Sequence, residues 1–250
     1  MTLAYYNEID PYAAQWLRNL ISQGLIAPGD VDERDIRDVA GPELAGYTQC
    51  HFFAGIGGWS LALRLAGWPD DRPVWTASLP CQPYSVGSVA HGGAKGQEDD
   101  RHLLPVFTPL VAEREPPIIF GEQVASAIKW GWLDEAFWAL ENIGYACGAA
   151  VVPAFAVGAR HERKRICWVA DASRQGRPGH QPVECVPFAT AAAFPEYGDP
   201  LARARRALAG DYSDLLPCDG LSVAMERRRA HGYGNAIVPQ VAAEFIRAAA

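Results

Sequence analysis

The order of patterns along the chain predicts an α/β fold built on a doubly wound, mostly parallel sheet. Strand-length apolar runs alternate with stretches of helical period through the first two-thirds of the sequence. A chain of 250 residues, 49% apolar and 20% charged, is long enough to bury one large core. Its 24 Gly and 19 Pro are spread along the chain, which excludes collagen-like, coiled-coil and disordered classes.

Residues 3–9 (LAYYNEI) read as a short buried strand. Asp10 and Pro11 supply an N-cap and a first-turn residue for a helix that sets Tyr12, Trp16, Leu20 and Ile21 on one face and stops at Gly24. A turn follows at PGD (28–30). Residues 50–53 form a second strand, running into Gly55, Gly57 and Gly58 and then a helix with Leu61 and Leu65, ended by Gly67 and Pro69. Further strands are expected at 74–78, 118–121, 149–152 and 166–169, with helices over 103–113 and 132–142. Ligands of such a sheet sit beyond the C-terminal ends of its strands. After Asp171 the text turns to SRQGRPGHQPVE and loses its period, and arginine-rich pieces follow at 203–206 and 227–229. This reads as a small insert or second domain, and VAAEFIRAAA (241–250) as a closing helix.

The net charge of −7 disfavours nucleic acid as a partner, but it is unevenly spread. Residues 1–150 hold nine Lys/Arg against nineteen Asp/Glu, whereas 151–250 hold thirteen against ten, so only the C-terminal part can meet phosphate favourably. No apolar run approaches the ~20 residues of a membrane span, and MTLAYYNEID lacks a basic stretch followed by an apolar one. The expectation is a cytoplasmic protein with no membrane partner. The six cysteines (Cys50, Cys81, Cys147, Cys167, Cys185 and Cys218) include no pair at zinc-site spacing, so no metal is expected.

Four short motifs have chemical potential. FFAGIGGW (52–59) places glycines at a strand-to-helix turn, where backbone N–H groups can approach a ligand; a tight turn alone also needs them. LPCQPYS (79–85) displays Cys81 between two prolines past a strand, as a nucleophile or as a small buried hydrophobe. IIFGEQV (118–124) brings Glu122 to the end of an apolar strand, where burial raises a carboxyl pKa towards proton donation; a helix cap is the alternative. In RHERKR (160–165), Arg163 and Arg165 alternate at strand period and point the same way, which also suits a solvated edge.

The joint order of these motifs, followed by GYGNAIVPQ at 232–240, resembles the DNA cytosine-5 methyltransferases over almost the whole chain except about 171–230. The resemblance implies a Rossmann-like fold using S-adenosyl-L-methionine and acting on double-stranded DNA. It implies that Phe53, Gly55, Gly57, Gly58, Pro80 and Asn235 surround the cofactor, with Asn235 also positioning the site through the closing helix. It makes Cys81 the nucleophile, Glu122 the cytosine-binding acid, Arg165 a ligand of the base carbonyl and Arg163 a support of its loop. Gln82 and Ser85 fall to the nucleic acid. The family's next two cofactor motifs should follow the glycine-rich turn, but only AGWPDDRPVWTASL separates it from Pro-Cys-Gln. Similar segments lie at the N-terminus instead, NEIDPYAAQWL (7–17) and GDVDERDI (29–36), which assigns Glu8, Ile9 and Asp30 to the cofactor. The inferred order is circularly permuted, with the strand of Phe53 lying beside that of Glu8.

The expected division is a catalytic and cofactor-binding unit over 1–170, a target-recognition region over 171–230 and a closing segment over 231–250. His51, Gln123 and His161 depart from an acidic residue, Asn and Gln of the family pattern, and 87–101 suit a loop that closes over DNA. A monomer, of the kind a phage or prophage uses to protect its DNA, is the favoured reading. Methylation of tRNA and a catalytically silent nucleic-acid-binding protein are the alternatives. Candidates for reading DNA are Arg174, Arg177, His180, Arg203, Arg205, Arg206 and Arg227, Arg228 and Arg229. So short a recognition region predicts a short or degenerate target, down to a dinucleotide; sequencing of methylated plasmid is expected to return one, and a strict long site refutes it.

Overall fold

The structure, a computed structural model, describes residues 3–80, 102–159, 163–173 and 236–249. Among these, seven strands form one sheet: β1 (Ala4–Asn7), β2 (Gly29–Asp32), β3 (Gln49–Phe52), β4 (Val74–Ala77), β5 (Ile118–Val124), β6 (Ala146–Val152) and β7 (Arg165–Asp171). Their order is β2-β1-β3-β4-β5-β7-β6, parallel from β2 to β5, with β7 antiparallel to both β5 and β6. The α-helices are α1 (Pro11–Ser22), α2 (Gly58–Leu65), α3 (Leu104–Arg114), α4 (Trp132–Glu141) and α5 (Pro239–Ala249). This is the expected doubly wound, Rossmann-like architecture. β3 lies between β1 and β4, the adjacency that the permuted order requires.

β1, β3 and β4 are buried at every position, as strands covered on both faces must be. On one face Tyr5, Phe52, Trp75, Ile119 and Trp168 pack against Phe107 and Val111 of α3 and Trp132 and Phe137 of α4. On the other, Phe120 and Cys167 meet Trp59 and Leu63 of α2 and Val241 and Phe245 of α5. Tyr6 lies on that same side with Leu17 of α1.

Three local readings change. The turn read at 28–30 is the entry to β2, an edge strand whose two aspartates break the apolar run that marks buried strands. The face of α1 is rotated: Ala13, Ala14 and Leu17 are buried, while Tyr12 is exposed, its ring tilted against that of Trp16 at 6.3 Å. The small alanines let the helix come close to the sheet, near enough that a Cβ on Gly57 would press on Leu17 and Leu20 at 3.3 Å. The helix start is as expected, with Asp10 accepting from the N–H groups of Tyr12 and Ala13 at 2.8 and 3.1 Å. Finally, β5 extends past 121 to Val124, because β7 pairs with it along its whole length down to Val124 opposite Arg165. Glu122 therefore lies within the strand, opposite Cys167, and does not emerge at its end. Gly121 faces Trp168 in the same ladder, and a Cβ there would lie 2.1 Å from the indole.

His51 sits fully inside β3, stacked on Tyr6 at 4.8 Å with Nδ1 2.8 Å from the Thr76 hydroxyl. Burial lowers its pKa to about 3, so the folded state holds the imidazole neutral. An unfolded chain protonates it near 6.5, so the unfolded state binds more protons between these values. Its stabilising share is thus complete above pH 6.5 and is lost as pH falls towards 3, by up to about 1.4 kcal/mol per pH unit. Urea denaturation between pH 4 and 7 is expected to show a shallower acid loss in His51→Gln than in the wild type; identical slopes overturn the assignment.

Candidate active site

The glycine-rich turn leaves the C-terminal end of β3. Phe53, Gly55 and Gly57 all adopt positive φ, at 53°, 55° and 82°. Gly58 answers a different demand: a Cβ there would lie 2.7 Å from Ile237 Cγ1, so glycine lets the segment before α5 close on the start of α2. At Gly55 a Cβ would meet nothing within 4 Å, so that side of the turn is open.

Glu8 follows β1 and reaches this turn. Its Oε2 accepts from the Gly55 N–H at 2.7 Å, and its Oε1 accepts from the Asp10 N–H at 2.9 Å. Burial raises its pKa, and the two backbone donors pull it back. Two residues 47 positions apart, assigned to one ligand from separate motifs, are thus brought into contact. Ile9, next along, is 59% exposed. Asp30 is not brought to them. It lies in β2 opposite Tyr5, two residues below the strand end, and accepts from the Tyr47 hydroxyl at 2.9 Å. The residues that follow β2 run from Glu33 to Asp35, where Asp35 caps a short 3-10 turn by accepting from the Arg37 N–H.

The second cluster gathers around Glu122. Arg165, the first residue of β7, places Nε 2.7 Å from Glu122 Oε1, with both side chains largely out of solvent. Burial raises the Glu122 pKa, and Arg165 and then Arg163 oppose the shift. Arg163 precedes the strand with φ of 25° and donates to the Ala236 carbonyl at 2.6 Å, fastening the chain next to Asn235. Glu122, Arg163, Arg165, Cys167 and Trp59 line one small cavity. A larger cavity of about 710 Å³ opens on the helical side of the glycine turn, between Trp16, Leu20, Ile56, Leu61 and Ile237, with Arg163 at its rim.

Pro80, half-buried, ends the described stretch after β4. Cys81, Gln82, Ser85, the loop 87–101, His161, Arg174, Arg177, His180, Arg203, Arg205, Arg206, Arg227, Arg228, Arg229 and Asn235 lie outside the described residues. Trp59 and Cys167 are among the cavity-lining side chains to which the sequence reading gave no role. Trp59 was signalled only by its place directly after the glycines, and Cys167 only by the strand pattern.

Residues 67–184 match the family model for C-5 cytosine-specific DNA methylases. The matched span, just under half of the chain, holds Cys81, Glu122, Arg163 and Arg165 and begins after the glycine turn. A relative, the type II methyltransferase M.AplI of Arthrospira platensis, is 27% identical over 154 residues, 47% of this chain and 44% of that protein. The chain thus spans under half the length of that relative. Similar solved structures include a Spodoptera frugiperda DNMT2 mutant (TM-score 0.44, 11% identity, 72% of this chain and 44% of that one). The S. pombe Dnmt2 methyltransferase gives 0.41, 13%, 71% and 52%, and a putative DNA modification methyltransferase encoded within an E. coli prophage gives 0.39, 16%, 68% and 47%.

Glu8→Ala is expected to weaken S-adenosylmethionine binding by about 10- to 100-fold, the worth of a charge-assisted hydrogen bond, while circular dichroism stays native. Asp35→Asn is expected to weaken it more than Asp30→Asn. Isothermal calorimetry checks both, and an unchanged affinity in Glu8→Ala overturns the permuted cofactor site.

Proposed function

We propose that this protein transfers a methyl group from S-adenosyl-L-methionine to C5 of a cytosine flipped out of double-stranded DNA, through a covalent bond between Cys81 and C6. The observation that carries the reading is the buried Glu122 carboxyl, held against Arg165 and faced by Arg163, on the strand beside the one that leads to Cys81.

The residues at the C-terminal edge fit the methyl donor. The carboxylate of Glu8 suits ribose hydroxyls, Ile9 offers an exposed apolar side chain for adenine, and the open side of Gly55 admits close approach to backbone. Asp35 is better placed than Asp30 for the adenine end, because it lies beyond the end of β2. Phe53, Gly57, Gly58, Pro80 and Asn235 complete this set. When bound, the donor supplies an electrophilic methyl group.

Cytosine C5 is a poor nucleophile. Addition of the Cys81 thiolate forms an S–C6 bond and moves the C5–C6 π pair so that C5 gains enamine character, with the charge spread over N3 and O2. Glu122, whose burial favours the protonated form, donates to N3, and the Arg165 guanidinium faces O2. Arg163 and Arg165 also favour the thiolate over the thiol. Once C5 is methylated, loss of its proton to a base restores the double bond and expels the thiolate. The base must leave the duplex for any of this, at a cost of roughly a few kcal/mol offset by contacts in the pocket.

In this reading residues 1–170 form the catalytic and cofactor-binding unit, 171–230 read the DNA and 231–250 return to the core, the enzyme working in the cytoplasm as a monomer. Arg203, Arg205, Arg206, Arg227 and Arg228 meet phosphate or guanine, and Gln82 and Ser85 lie against the strand. Duplex DNA containing 5-fluorocytosine, which blocks proton loss, is expected to trap the protein covalently in the presence of cofactor. Mass spectrometry should place the adduct on Cys81, and Cys81→Ala should abolish both adduct and methyl transfer; no adduct in the wild type defeats the mechanism.

A further inference from the structure

Two side chains from different elements hold consecutive residues just ahead of the nucleophile. The Trp59 indole N–H, one residue into α2 after Gly58, donates to the Ser78 hydroxyl at 2.9 Å. The Gln123 side-chain N–H, one residue along β5 from Glu122, donates to the Leu79 carbonyl at 3.3 Å. The other end of that amide accepts from the Val124 N–H at 2.9 Å, which fixes its orientation. Ser78 is also tied by its own N–H to the carbonyl of Phe52, where the glycine turn begins. Trp59, Leu79 and Gln123 are all buried.

The placement of these bonds is informative. Ser78 and Leu79 are followed by Pro80, whose ring fixes φ, and then by Cys81. One bond runs to this segment from the cofactor turn and the other from the strand of the acid. Trp59 in addition lines the cavity of Glu122, Arg163 and Arg165. The departure of residue 123 from the family's Asn is thereby explained by reach, since the longer Gln spans from β5 to the Leu79 carbonyl.

We propose that Trp59 and Gln123 are positioning residues for methyl transfer, setting the take-off of the Cys81 segment in register with both the glycine turn and Glu122. This rests on the reading of the preceding section. Misplacement of reacting atoms by about 1 Å costs on the order of 100-fold in rate, so these bonds act on turnover and leave cofactor affinity alone.

The test uses the full chain and three variants. Trp59→Phe combined with Ser78→Ala removes donor and acceptor together, so no buried polar group is orphaned and the fold is retained. Gln123→Met removes the second bond with a side chain of similar length. Ser78→Thr keeps the hydroxyl and serves as the conservative control. Expected for the double variant and for Gln123→Met are a fall in methyl-transfer kcat of about 10- to 100-fold, a similar slowing of adduct formation on 5-fluorocytosine DNA, and DNA KM and S-adenosylmethionine Kd within about threefold of wild type. Ser78→Thr is expected to stay within about threefold of wild type in kcat. Wild-type kcat in the double variant and in Gln123→Met overturns the proposal, as does a loss of kcat matched by equal loss of Kd and melting temperature. A wild type that binds cofactor yet forms no adduct overturns the methyltransferase reading itself, a result distinct from variants that react normally.

Discussion

Placing the Glu122 carboxyl between two antiparallel strands carries a desolvation cost of several kcal/mol, and the neighbouring architecture meets that cost locally. Arg165 pairs with it across the β5–β7 ladder, and Arg163 adds a second cation. Burial by itself favours the neutral carboxyl, and the adjacent guanidinium opposes that shift. The antiparallel direction of β7 puts its first residue, Arg165, opposite Val124 and so within reach of Glu122 two residues earlier. Just ahead of the strand, Arg163 donates to the Ala236 carbonyl, which ties this end of β7 to the segment before α5.

The other half of the site depends on adjacency in the sheet, which differs from adjacency in the chain. β1 and β3 are neighbours although α1 and β2 intervene, and that is how the Glu8 carboxylate meets the Gly55 N–H. The Glu8–Gly55 contact and the Glu122–Arg165 pair lie on opposite sides of β4, whose end leads into Pro80. A chain beginning with the Glu8 strand can build the same surface as one beginning with the glycine turn, because the sheet edge is defined by strand neighbours.

Much of this was legible in the sequence. The order of strand-like and helical segments carried the sheet class, and the resemblance of 7–17 to a displaced segment anticipated that Glu8 would lie beside the glycine turn. Asp10 and Pro11 marked the start of α1 through chemistry confined to one turn. What escaped was whatever depends on a distant partner. β2 is a four-residue edge strand with two aspartates, which reads as a turn until β1 pairs with it. Asp30 falls below the sheet edge because the end of β2 is set by register with Asn7, not by local pattern. The buried face of α1 is chosen by close approach to Gly57, and the length of β5 by its pairing with β7. The hydrogen bonds of Trp59 and Gln123 span 19 and 44 positions, beyond any periodicity.

The strand order also bears on how the molecule assembles. β2, β1, β3 and β4 form a contiguous block of the sheet and come from one contiguous stretch of chain, residues 4–77. Their parallel pairings close over 25, 45 and 25 positions, as from Ala4 to Gly29, Ala4 to Gln49 and Gln49 to Val74, so each must form across an intervening segment. The Glu8–Gly55 contact is complete within that stretch. One face of α2, by contrast, is covered only by α5, the last described helix, so the two ends of the described chain share one core.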